Sequence, residues 1–89
     1  MDIENRNNMY YLYILKCADG TLYTGITVDL LRRIREHNSS KIGAKYTRAR
    51  RPVKLVYSKT FCNRSLAQKE EAVIKKMTRQ EKLNLVANK

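Results

Sequence analysis

Two runs of tyrosine and aliphatic residues meet at one glycine-containing turn, and no feature of the chain restricts its fold more. Met9 to Cys17 reads MYYLYILKC, a composition rich in strand-forming Tyr, Ile and Leu. A second short run ends in Tyr23-Thr24-Gly25. In the first run Tyr11, Tyr13, Leu15 and Cys17 share one face, while Tyr10, Leu12, Ile14 and Lys16 share the other. The length of the turn decides which tyrosines meet. A two-residue loop at Asp19-Gly20 pairs Lys16 with Tyr23 and sends Tyr13 and Tyr23 to opposite faces. A three-residue loop, Ala18-Asp19-Gly20, pairs Leu15 with Tyr23 and makes Tyr13 and Tyr23 diagonal neighbours on one face. Gly20 suits the left-handed position that the longer loop requires, so that loop is predicted.

The rest of the chain reads as support for this hairpin. Gly25 is expected to close the second strand, either as a terminator or as a place of close approach. Thr27 is the expected cap of a helix reaching about Asn38, with Asp29 in its first turn. Leu30, Leu31 and Ile34 form its core stripe, and Arg33 and His37 sit one turn apart at an edge of it. Asn38 to Pro52 reads as a loop, long enough in so small a domain to be functional or mobile. Val53 to Ser58 reads as a third strand, with Val53, Leu55 and Tyr57 on one buried face. Ser65-x-x-Gln68 matches a capping box opening a helix to about Met77. Thr78-x-x-Glu81 is a second box, opening a last helix with Leu83 and Val86 inward. The order β-β-α-β-α-α gives an α+β class, a small antiparallel sheet with helices packed on it. Residues 1–8 are expected to be a flexible tail, and 9–89 a single domain.

Charge narrows the partner. The chain has 89 residues and a net charge of +11. From Arg32 to Lys54 there are nine basic residues and one acid, Glu36, so +8 of the +11 falls in about a quarter of the chain. Such clustering is an electrostatic footprint for nucleic acid or another polyanion. Lys41, Lys45, Arg48, Arg50 and Arg51 are the candidate phosphate contacts, with Tyr46 among them as either a base-stacking or a packing residue. Cys17 and Cys62 are the only cysteines, and with His37 they fit no zinc-ligand spacing. No run approaches the roughly 18 apolar residues of a membrane span, and no signal peptide is visible. A cytoplasmic monomer with reduced thiols is expected, with a protein partner left open.

The constellation Tyr11-Leu12-Tyr13, then Tyr23-Thr24-Gly25, then Arg33 resembles the GIY-YIG nuclease superfamily. The segments YILKCADGTLYTGIT, GAKYTR and RRPVKLVYS are similar to its small single-domain bacterial branch. The resemblance runs from about Tyr10 to Val86. It implies a three-stranded antiparallel sheet flanked by helices, and phosphodiester cleavage aided by one divalent metal, magnesium or manganese. By position, Tyr23 matches the tyrosine that activates water, Tyr13 its hydrogen-bonding companion, and Arg33 the arginine on the scissile phosphate. His37 falls where relatives carry His or Tyr, and Glu71 matches the metal-binding glutamate. A helical wheel over Ser65 to Met77 instead favours Glu70, which it places amid Leu66, Val73, Ile74 and Met77; the resemblance favours Glu71. Free tyrosine titrates near about pH 10, so a tyrosine base needs Arg33 and other cations to favour its phenolate. The sequence departs from the pattern in lacking the first motif's glycine, in Thr24 for isoleucine, and in Ile26 where some repair nucleases carry lysine.

The function expected is therefore a metal-dependent endonuclease acting on DNA, directed by structure such as branches, flaps or single strands, with a place in repair or recombination. The alternative is a non-catalytic nucleic-acid-binding module using the same basic surface.

Overall fold

The computed structural model describes residues 9–39, 41 and 43–88; the tail expected over residues 1–8 lies outside these. Three strands, β1 (Tyr10–Lys16), β2 (Leu22–Thr27) and β3 (Lys54–Phe61), form an antiparallel sheet in the order β2-β1-β3. Helix α1 (Leu30–Ser39) and a single turn, α2 (Lys45–Arg48), lie between β2 and β3, and α3 (Arg64–Lys75) and α4 (Arg79–Ala87) follow β3. The expected order is present, with α2 added inside the segment read as a loop. No helix is long and apolar enough to cross a membrane among the described residues.

The hairpin has the longer loop. Leu15 pairs with Tyr23 and Lys16 with Leu22. The Cys17 N–H donates to the Thr21 carbonyl at 2.8 Å, and the Gly20 N–H to the Cys17 carbonyl at 2.9 Å. Gly20 takes φ +85°, the left-handed region where a Cβ is disfavoured. Asp19 completes the turn by accepting from the Thr21 hydroxyl at 2.6 Å and the Thr21 N–H at 3.1 Å, and these bonds hold its carboxyl below the usual range.

The alternation along β1 then separates two cores. One face carries Tyr13, Leu15 and Cys17 with Val53, covered by Tyr23 and by Leu30 and Ile34 of α1. The other carries Leu12 and Ile14 with Ile74, covered by Val56, Tyr57, Phe61, Met77, Leu85 and Val86. The sheet is thus sandwiched between α1 on one side and α3 with α4 on the other. Thr24, where the resemblance expects isoleucine, is buried opposite Ile14, and its hydroxyl finds no partner among the described residues.

Several local expectations are corrected. β2 does not stop at Gly25 but runs to Thr27, because Gly25 pairs with Tyr13 in mid-strand. Asp29, not Thr27, caps α1: its carboxylate accepts from the Arg32 N–H at 3.1 Å and its carbonyl from the Arg33 N–H at 3.0 Å, while the Thr27 hydroxyl accepts from the Asp29 N–H. Leu31 is 71% exposed and outside the stripe, which contains Leu30 and Ile34. Asn63, not Ser65, caps α3, accepting from the Leu66 N–H at 2.9 Å. The Thr78–Glu81 capping box forms as expected.

Two corrections concern which side chains face the core. Val53, Leu55 and Tyr57 do not share a face. The pairing of β1 with β3 slips between Ile14–Tyr57 and Leu15–Leu55, a bulge that takes up Val56. Val53 therefore packs with Tyr13, whereas Val56 and Tyr57 pack with Ile74. On α3 the buried residues are Ala67 and Ile74, while Leu66 is 43% exposed and Val73 53%. The helix is rotated from the position its apolar residues suggest, so that small Ala67 meets the sheet and both Glu70 and Glu71 lie at the margin of the contact.

Candidate active site

Tyr13 is nearly inaccessible at the centre of one sheet face, and Gly25 on the neighbouring strand makes room for its ring. A Cβ on Gly25 would lie 2.5 Å from the Tyr13 hydroxyl oxygen and 2.7 Å from the ring carbon bearing it. Glycine is required here by a side chain crossing from β1, not by a backbone turn. Gly25→Ala is expected to destabilise the fold by about 1–3 kcal/mol through overpacking. The check is the denaturant midpoint, with Gly20→Ala, a case of backbone strain in open space, as the comparison.

The phenol placed in this way meets His37 of α1. Tyr13 Oη lies 2.9 Å from His37 Nε2, and His37 Nδ1 lies 2.8 Å from Thr47 Oγ1; both His37 and Thr47 are fully buried. Proton directions follow from Thr47. Its single hydroxyl proton goes to the Ala44 carbonyl at 2.9 Å, so its oxygen accepts from His37 and Nδ1 carries a hydrogen. Burial, with Arg33 nearby, holds the His37 imidazole down to about 4, so the ring is neutral near pH 7 and Nε2 is bare. Tyr13 must then donate to Nε2. Burial pushes the Tyr13 phenol up to about 12 despite a bond from Arg33, and the charges of Tyr23 and Glu71 push the same way. The result is one directed chain: Arg33 to Tyr13, Tyr13 to His37, His37 to Thr47, Thr47 to Ala44.

The segment after α1 is folded to deliver Thr47. Gly43 lies flat on α1, where a Cβ would come within 2.5 Å of the Glu36 carbonyl oxygen. The Arg51 guanidinium donates to the His37 carbonyl at 2.6 Å and to the Glu36 carbonyl at 3.3 Å, serving orphan acceptors at the end of α1. Asn38 exchanges two hydrogen bonds with the Val53 backbone, at 3.0 and 2.7 Å. What reads as a flexible basic loop is therefore, around α2, the far wall of the Tyr13–His37 cluster.

Arg33 pairs with Glu36 at 2.9 Å and bonds the Tyr13 oxygen. Burial works against its charge, but these two partners outweigh burial and hold it above its ordinary range. Tyr23 is half-buried at the edge of the cluster, its ring 5.2 Å from His37 and 6.5 Å from Tyr13. Its outer neighbour is Tyr46, stacked at 5.8 Å with planes 28° apart. The Arg50 guanidinium sits 3.9 Å from the Tyr46 ring centre and is tied to Asp19 at 3.0 Å. Of the candidate phosphate contacts, Lys41, Lys45 and Arg48 are exposed, whereas Arg50 and Arg51 are half-buried and bonded within the fold. Tyr46 packs on Tyr23 and remains partly exposed.

Glu71 is 20% exposed and pairs with Lys75 at 3.0 Å. Its charge is among those that act on the Tyr13 phenol. No group of three or more His, Cys, Asp or Glu side chains gathers in metal-binding array among the described residues. His37 has both ring nitrogens engaged and is unsuited to ligate. A hard divalent cation that keeps its waters and shares a substrate phosphate needs only one protein carboxylate, and Glu71 fits that demand. Sequence reasoning missed Thr47 and the steric role of Gly43, and offered close approach at Gly25 without naming the Tyr13 ring. GAKYTR carries both Gly43 and Thr47, but nothing local marks their partners.

A family described as the GIY-YIG catalytic domain matches residues 9–84. A UPF0213 protein of Desulfotalea psychrophila is 57% identical over 83 residues, covering 93% of this chain and 76% of that protein. A UPF0213 protein of Syntrophus aciditrophicus is 58% identical over 76 residues, covering 85% and 87%. Among solved structures, the solution NMR structure of a UPF0213 protein from Bacillus halodurans superposes with a TM-score of 0.61 at 44% identity, covering 91% of this chain and 85% of the other. That of an E. faecalis protein gives 0.63 at 42% identity with the same coverage.

Proposed function

This chain belongs to the GIY-YIG catalytic domain family, and from that premise we propose that it is an endonuclease hydrolysing phosphodiester bonds in DNA with one divalent metal ion. The observation that carries the proposal is the directed chain from Arg33 through Tyr13 and His37 to Thr47, built beside the half-buried Tyr23. The network is satisfied along its length, so it holds Tyr13 and Arg33 in one arrangement beside Tyr23.

Each residue has a distinct task in this reading. Arg33, its guanidinium oriented by Glu36 and Tyr13, opposes the negative charge that gathers on the phosphate oxygens. Tyr13 stays a neutral phenol, with its proton committed to His37, and serves as a positioning residue for Arg33 and for the floor at Gly25. Tyr23 stands at the accessible edge; its own phenolic proton passes first to solvent, and the phenolate then takes a proton of the attacking water as the water oxygen bonds to phosphorus. The bond from phosphorus to the leaving deoxyribose oxygen breaks, and that oxygen is protonated from solvent. Magnesium or manganese, held by Glu71, supplies Lewis-acid stabilisation of the phosphate when bound. With no separate module for reading bases, substrate choice rests on nucleic-acid shape and backbone.

The trial is a cleavage screen with plasmid, flap and junction DNA in magnesium or manganese. Metal-dependent cutting is expected from the wild-type chain, with a loss of cutting in Glu71→Ala and retention in Glu70→Ala. The reverse pattern would move the metal ligand to Glu70. Salt-sensitive binding with no cutting under either metal would leave the non-catalytic binding module in its place.

A further inference from the structure

We infer that the cleft between Tyr46, the Thr21–Leu22 edge of the hairpin and α4 holds a second phosphate of the nucleic-acid strand, with Arg79 and Lys82 as its cations. The cleft is open to solvent, offers about 200 Å³ and is lined by Thr21, Leu22, Tyr46, Arg79 and Lys82. That is room for a sugar–phosphate unit. It adjoins the candidate active site directly, since its Tyr46 wall is stacked on Tyr23.

The charges in the cleft are unspent. Arg79 and Lys82 stand at i and i+3 on α4, so they project from the same side of the helix. Neither pairs with a carboxylate among the described residues, and Lys82 is half-buried. Two cations that line one cleft with no carboxylate between them among the described residues form an arrangement that an anion completes. The contrast with the basic loop is direct: Arg50 is neutralised by Asp19, and Arg51 is taken up by the end of α1. The free cations that flank the Tyr23 edge are thus provided in part by a helix some thirty residues beyond the loop. A strand whose scissile phosphate rests on Arg33 would pass over Tyr46 and lay a neighbouring phosphate against α4.

This inference rests on the nucleic-acid reading above, and its test does not depend on cleavage. Binding of the full chain to a labelled DNA duplex with a single-stranded arm, in chelator and over a range of salt, gives the slope of log K against log salt. Arg79→Gln and Lys82→Gln should each make the slope shallower by about 0.7–0.9. Lys59→Gln, on the strand at the far edge of the sheet from β2, should leave it unchanged. Equal slopes for wild type, Arg79→Gln and Lys82→Gln, or an equal drop in Lys59→Gln, would overturn the assignment even if the protein cuts DNA. A reduced slope in a chain that never cuts would keep the phosphate site and remove the nuclease. Absence of binding would overturn both.

Discussion

Arg33→Ala should lower kcat/KM for metal-dependent DNA cleavage by about 100- to 1,000-fold, the usual cost of losing one donor aimed at developing negative charge. The loss has two sources in this fold. The guanidinium that meets the phosphate is removed, and the Tyr13 oxygen loses the hydrogen bond that Arg33 gives it. Arg33→Lys restores the charge but not the fork that spans Glu36 and Tyr13, so little rescue is expected. Tyr23→Phe keeps the ring stack on Tyr46 while removing the proposed proton acceptor, and should fall by about 100- to 10,000-fold. All three variants are to be purified in parallel with wild type, and their unfolding midpoints measured. Cutting by Arg33→Ala equal to wild type would identify a contaminating nuclease and leave the proposed active site without support.

Acid should unfold the protein through His37. Its folded value is held down to about 4, against about 6.5 for a free imidazole. The unfolded chain therefore binds a proton more readily between these values. The stability tied to neutral His37 is complete above about pH 6.5 and is lost progressively as pH falls towards 4, to a total on the order of 3 kcal/mol. Burial is the main cause, and the groups facing the ring adjust it: Arg33 and Arg51 disfavour the imidazolium and Glu36 favours it, while Thr47 accepts only from Nδ1–H. His37→Gln should flatten the pH dependence of the denaturant midpoint over this range, and the difference from wild type isolates His37 from the carboxylates that titrate nearby. Thr47→Val leaves the Nδ1 proton without an acceptor and should cost about 1–3 kcal/mol at pH 7. Parallel pH profiles for wild type and His37→Gln would contradict the neutral, buried ring.

The parts of the site legible in the sequence are those set by short-range rules. The three-residue loop follows from Gly20 at positive φ, and the two-residue period of a strand then brings Tyr13 and Tyr23 to one face. The Thr78–Glu81 box is likewise a contact within four residues. Charge clustering was legible as a total but not as a surface. Arg50 and Arg51 count towards it, yet both are engaged inside the fold.

What escaped the sequence depends on partners distant along the chain. Gly25 reads as a strand end or a place of close approach, and what approaches stays unnamed because it is the Tyr13 ring arriving from the next strand. The alternation of Val53, Leu55 and Tyr57 is genuine in the sequence, but the bulge at Val56 reverses which side of the sheet the later residues face. The wheel over α3 weighs Leu66 and Val73 as core because it has no knowledge of the rotation that small Ala67 permits.

By itself the amino-acid sequence determined the hairpin, the α+β order, the family and the pairing of two phenols on one face, since each is encoded by spacing within one or two elements. Only the tertiary structure decided that His37 is buried and neutral, that Thr47 sets its tautomer, and that Tyr13 must be a donor. The reason is that a proton's position is fixed by the last acceptor in a chain of contacts, and here that acceptor, the Ala44 carbonyl, reaches the site only when Gly43 folds the segment back against α1.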